Sequence, residues 1–227
     1  LEALRSLKAQ KRLKVRYYVM LTCTDADLID PYLRNGPEVD PDNWLTVRAI
    51  KVFQDGSLGT RSALMLEPYS DAPDVIGVST TSQEEIADLT IKALRAGMQV
   101  VTHAIGDRSN RITLDAYETA LEAVPEATDH RLRIEHAQVM APADIPRFAE
   151  LGVISSMQPP HATSDMSWAE DRVGPERVKG AYAWRTLRKA GVHLTFSADL
   201  AGSDHDVFYG LHSAVTRRDK NFHPPGG

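Results

Sequence analysis

A single cysteine, Cys23, in 227 residues excludes an internal disulfide and a thiolate-based zinc site. It follows the strand-like stretch Arg16–Leu21 and is expected to be a buried structural thiol rather than a nucleophile. No apolar run approaches the roughly 20 residues that span a bilayer. The opening Leu1-Glu-Ala-Leu-Arg-Ser-Leu-Lys reads as an amphipathic helix and is not expected to be a secretory leader. Basic excess is lacking too: 26 Lys+Arg stand against 31 Asp+Glu, a net charge of -5, which argues against nucleic acid as the main partner. The serines have no nucleophile-elbow context, so a Ser-His-Asp hydrolase finds little support. These absences lead us to expect a cytoplasmic protein with a small-molecule substrate and neither nucleic acid nor membrane as partner. An initiator methionine is also missing. The chain opens within a helix and stops at Pro224-Pro225-Gly226-Gly227, as expected of a segment of a longer polypeptide.

What is present is ordinary globular material, 42% hydrophobic and 25% charged, enough for one sizeable core over residues 1–227. Strand-like runs at Val15–Leu21, Val47–Phe53, Gln99–Ala104, Leu132–Ala137, Val153–Gln158 and His193–Ala198 alternate with helical patterns. The helical patterns are Ser82–Gly97, Asp107–Val124, Asp144–Leu151 and Val178–Ala190. Ser82-Gln-Glu-Glu reads as an N-cap with an acidic first turn, and Gly97, Gly152 and Gly191 close helices before strands. Such βαβα order predicts an α/β fold with a parallel sheet. Two long interruptions, Asp55–Thr81 and Pro159–Glu176, follow strands, where a barrel builds its substrate pocket. Six strand–helix units fall short of the eight of a closed barrel, so we expect a partial TIM (β/α)8-type barrel with its first two units missing.

Four of the strand-like runs deliver a side chain able to hold a metal: Lys51, His103, His136 and Asp199. A barrel aims such residues at one point above its C-terminal face. Neutral imidazole suits zinc, iron or nickel, although either histidine alone reads equally as a core residue bonded to backbone. Lys51 interrupts an apolar run, and a buried ammonium is expensive unless paired. It could become a two-oxygen carbamate ligand, or simply ion-pair with Asp55. Asp199 could ligate and carry a proton, or cap the next helix. Asp204 and Asp206 compete with it but lie past the strand end. Asp107 is placed to orient His103 from behind, or to cap a helix. Gln158, His161 and Trp168 are candidate substrate contacts.

At these residues the chain resembles the amidohydrolase superfamily, specifically the amidohydrolase-3 branch of N-substituted formamide deformylase-like metal-dependent hydrolases. The matching text is Lys51-Val-Phe-Gln-Asp-Gly-Ser-Leu-Gly-Thr-Arg-Ser-Ala, Thr102-His-Ala-Ile-Gly-Asp-Arg-Ser-Asn, Arg133-Ile-Glu-His-Ala-Gln, Ser155-Ser-Met-Gln-Pro-Pro-His and Phe196-Ser-Ala-Asp. The resemblance implies barrel strands 3 to 8, one or two divalent metals, commonly zinc, and hydrolysis of a non-peptide carbon–nitrogen bond of the amide or formamide class by metal-activated water. It implies Lys51 as a carboxylated bridging ligand ending strand 4, His103 and His136 as ligands ending strands 5 and 6, and Asp199 as ligand and general acid/base ending strand 8.

The family's His-x-His pair of strand 1 occurs nowhere in the sequence. By the same resemblance, strands 1 and 2 and the small β-sandwich domain are expected to lie outside this stretch. We therefore expect a depleted metal site, a chain impaired alone, and self-association through open barrel edges. Two further readings follow from the same residues: a non-catalytic barrel remnant needing a partner segment, and a metal-independent lyase or aldolase using Lys51 as a Schiff base.

Overall fold

The apolar runs form one sheet in the computed structural model, which describes residues 1–200 and 205–227. Its parallel strands are β1 (Tyr17–Thr22), β3 (Leu45–Phe53), β4 (Gln99–Ala104), β5 (Arg133–His136), β6 (Ile154–Met157) and β7 (Leu194–Phe196), and the short β2 (Glu38–Val39) pairs antiparallel with β3. The spatial order is β1-β3-β4-β5-β6-β7, so parallel neighbours follow one another along the chain. Helices join them: α2 (Ala26–Asn35) after β1, α3 (Gln83–Arg95) after β3, α4 (Asp107–Ala123) after β4 and α5 (Ile145–Glu150) after β5. This is the expected α/β architecture, six successive strands of a TIM-type barrel. Among the described residues, β1 and β7 each have one parallel neighbour and end the series.

Burial explains the elements. In β3, Val47, Ala49, Ile50 and Val52 are all fully buried, the signature of a parallel strand covered on both faces. The α3 start is a full capping box between Ser82 and Glu85, and its face Ile86, Ala87, Thr90, Ala93 and Leu94 packs inward. On α4, Leu114 and Tyr117 are buried while Ile112 and Leu121 are half-buried at the margin of the same stripe. Cys23 is half-buried against the core, and burial raises its pKa, which keeps it a protonated thiol.

The structure departs from the sequence reading in two places. The predicted loop Pro159–Glu176 contains α6 (Pro159–Asp165) and α7 (Ala169–Arg177). Pro159 and Pro160 occupy the first turn of α6, where a missing N–H costs nothing. The predicted helix Val178–Ala190 is broken. A short 3-10 turn, Val178–Gly180, precedes an extended Ala181, and only α8 (Trp184–Lys189) is regular helix. Tertiary pairing overrides propensity there: the Tyr182 N–H donates to the Gln138 carbonyl at 2.7 Å, and its φ of 50° leaves the right-handed region. The segment 55–81 is irregular, as expected. Near the chain ends lie α1 (Glu2–Ala9), which buries no residue, and α9 (Val207–Thr216). Among the described residues no helix is long and apolar enough to cross a membrane.

One buried hydroxyl ties the sheet to its helical layer. Tyr117 on α4 places its oxygen 2.8 Å from Thr102 Oγ1 and 3.0 Å from the Arg133 carbonyl, linking β4 and β5 from outside. Tyr117→Phe should cost about 1–3 kcal/mol by leaving buried polar partners unpaired. Urea denaturation should show a lower midpoint at unchanged slope, and an unmoved midpoint would show that the hydroxyl contributes nothing.

Candidate metal centre

Side chains alternate along a strand, so Lys51 and Phe53 share one face of β3 and both open into a cavity of about 860 Å³. His103, His136, Gln158 and Asp199 line the same cavity, which therefore sits at the C-terminal ends of the strands. Lys51 holds its Nζ 5.0 Å from the Phe53 ring centroid. Burial pushes its pKa down, and the nearby Glu135 carboxylate pulls the other way. The ion pair with Asp55 considered from sequence does not form. That carboxylate is buried and accepts instead from the N–H groups of Leu64 (2.9 Å), Ile105 (3.0 Å) and Gly106 (2.9 Å).

Asp55 also fixes its neighbour on β4. Its Oδ1 lies 3.4 Å from His103 Nε2, and the same nitrogen is 3.1 Å from the Gly56 carbonyl. Both groups accept, so Nε2 carries the hydrogen and Nδ1 keeps a lone pair. Asp107, expected behind His103, does not reach it. Its Oδ1 accepts from the Leu66 N–H at 2.7 Å and the Arg108 N–H at 2.9 Å, anchoring the rim loop to the first turn of α4. Gly106 admits no side chain, because a Cβ there would collide with the Leu64 carbonyl.

His136 ends β5, and both it and Glu135 line the cavity, so strict alternation fails. The backbone shows why: φ is 76° at His136 and 41° at Ala137, left-handed values that turn the chain at the strand end. Non-glycine residues accept such strain where surrounding structure imposes it. The His136 ring centroid is 4.5 Å from that of His103 and 5.9 Å from that of His161. Burial first, then the neighbouring His103, Lys51 and His161, drive its pKa far below the ordinary histidine range. It is thus held neutral, the form that ligates.

Asp199 follows β7 in a left-handed conformation, φ 56°, and its Oδ2 is 3.7 Å from His161 Nε2. His136, His161 and Asp199 each offer a ligand atom, and these atoms lie within 4.8 Å of one another. A substrate contact was expected of His161; its place in this triad was not. Asp206 caps α9 by accepting from Phe208 and Tyr209, and Asp204 lies outside the described residues. Trp168 is half-buried on the cavity wall with the Arg172 guanidinium 5.5 Å from its ring. Beside it stands a group that sequence reasoning missed. Asp165 Oδ2 accepts from Tyr182 Oη at 2.6 Å and Gln138 Nε2 at 3.3 Å, fixing that wall. Nothing in the spacing of Gln138, Asp165 and Tyr182 marked them as partners.

The donor set fits a divalent cation. Imidazole nitrogens and a carboxylate suit zinc and its first-row neighbours, and the three ligand atoms lie close enough together to converge on one ion. His103 and Lys51 open onto the same space.

Comparison with known proteins gives a consistent result. The family model described as "Amidohydrolase family" matches residues 1–223. The chain is 34% identical to Protein LONG AFTER FAR-RED 3 of Arabidopsis thaliana over 92% of this chain and 36% of that protein. It is 36% identical to the putative amidohydrolase YtcJ of Bacillus subtilis over 76% of this chain and 32% of that one. N-substituted formamide deformylase of Arthrobacter pascens is 26% identical over 71% and 29%, respectively. An uncharacterized metal-dependent hydrolase from Pyrococcus furiosus superimposes with a TM-score of 0.83 at 35% identity, covering 94% of this chain and 43% of that one. The chain thus spans about a third of the length of these curated relatives.

The Asp55 carboxylate generates a stability prediction. Asp55→Ala strands three buried backbone donors, each worth about 1–3 kcal/mol, so the loss should be at least ~3 kcal/mol in urea denaturation. A loss below about 1 kcal/mol would mean that water replaces the carboxylate.

Proposed function

This chain belongs to the amidohydrolase family, and on that premise we propose that it carries the metal-holding rim of a hydrolase acting on non-peptide carbon–nitrogen bonds of the amide or formamide class. The observation that carries the reading is the meeting of His136, His161 and Asp199 within 4.8 Å in a cavity that Lys51 and His103 also line. The formamide preference draws on the name of the Arthrobacter relative and goes no further.

His103 through Nδ1, His136, His161 and Asp199 would hold the ion, which we take to be zinc, one or two per complete site. When bound, the metal supplies a water acidified toward neutral pH and a Lewis acid for the scissile carbonyl. The protein's own groups do the rest. Lys51, its pKa lowered by burial, has access to the neutral amine that adds carbon dioxide with loss of a proton, giving an anionic carbamate ligand. Asp199 is partly exposed at the cavity rim, where it can take a proton from the attacking water and return it to the leaving nitrogen. Trp168 and Phe53 supply apolar wall for a small organic substrate.

A second reading is a barrel remnant that binds metal weakly and needs a partner segment for turnover; the 46% exposure of the Asp199 carboxylate, a loose holder for an ion, supports it. We further propose self-association through the edges of β1 and β7, no nucleic-acid or membrane partner, and a cytoplasmic location.

Metal analysis joined to turnover tests these readings. The purified chain should bind zinc near stoichiometrically, and His136→Ala should weaken binding at least about 10-fold, since even outer-shell changes cost that much. Carbon-13-labelled carbon dioxide should give a carbamate resonance that Lys51→Ala abolishes. Zinc binding with no hydrolysis of N-substituted formamides or simple amides supports the remnant. No binding at saturating zinc defeats both metal readings.

A further inference from the structure

We propose that Gln158 is a positioning residue that locks His136 in the Nδ1–H tautomer and so aims the Nε2 lone pair into the cavity. Gln158 is only 5% exposed, and its amide is already committed on both sides. Oε1 lies 2.7 Å from His136 Nδ1. Nε2 lies 3.3 Å from the Ser156 carbonyl and 3.0 Å from Ser197 Oγ.

The orientation of the amide follows from its surroundings. The Ser156 carbonyl can only accept, so the NH2 must face it, and a flipped amide would set oxygen against oxygen. Oxygen therefore faces His136. An amide oxygen also only accepts, so the hydrogen between the two groups belongs to Nδ1. A neutral ring has a single N–H, which leaves Nε2 bare. Both N–H bonds of Gln158 are used, so it has no donor left for a substrate. The same amide spans three strand ends: β5 through His136, β6 through Ser156, and the turn after β7 through Ser197, two residues before Asp199.

The tautomer claim stands on hydrogen-bond geometry alone; only its effect on metal affinity rests on the proposed function. The test uses the metal-free, nitrogen-15-labelled chain in mildly alkaline buffer, with two-bond proton–nitrogen correlation of the His136 ring, then zinc titration. Wild type should show Nδ1–H. Gln158→Leu removes the acceptor; it should give mixed or Nε2–H tautomers and bind zinc about 10–100-fold more weakly. Either wild type in the Nε2–H form, or Gln158→Leu retaining the wild-type tautomer, overturns the proposal. The wild-type spectrum decides even if a variant fails to fold. A wild type that binds no zinc but shows Nδ1–H defeats the metal reading and leaves the positioning role supported.

Discussion

One buried carboxylate holds the rim of this barrel together. Asp55 leaves the end of β3, gathers the N–H groups of Leu64, Ile105 and Gly106, and lies against His103. Those three donors come from the loop after β3 and the turn after β4, so one side chain fastens a long irregular segment to the strand beside it. A buried charge without such partners would be costly, and here three backbone bonds compensate it. Gly106 admits the arrangement because only a residue without a side chain fits under Leu64.

The histidines show how the same logic assigns chemistry to each ring. His103 gives its Nε2 hydrogen to a carbonyl and a carboxylate and keeps Nδ1 bare. His136 is held from the other nitrogen, by Gln158. The two rings, both lining one cavity, are thus held from different nitrogens. Lys51 is shifted chiefly by burial, with the Arg133 charge in the same direction and the Glu135 carboxylate opposing it.

Much of this was legible in the sequence, for stated reasons. Strand order and the placement of Lys51, His103, His136 and Asp199 followed from short apolar runs that end in polar residues, because a parallel barrel exposes one end of each strand. Helix starts such as Ser82 were legible because capping is local. What escaped was tertiary. Asp55 was readable as a partner for Lys51 by proximity in sequence, yet it serves backbone donors from as far as residue 106. The break at Tyr182 depends on Gln138 and Asp165, a pairing no local pattern encodes. The part played by His161 beside His136 and Asp199 depends on where α6 starts, which two prolines concealed by resembling a loop.

The segment 55–81 has a further consequence. It is regular nowhere, but it is pinned to its surroundings: Thr80 and Thr81 hydroxyls donate to the Phe53 carbonyl of β3 at 2.6 and 2.7 Å, Asp55 accepts from Ile105 and Gly106 in the turn after β4, and Asp107 of α4 accepts from the Leu66 N–H. A mouth wall fastened this way arrives preorganised, so a guest entering the barrel loses little of its binding energy to ordering the host. Selectivity can then drift by exchanging the outward side chains of that wall, one at a time, while the fastenings beneath stay as they are.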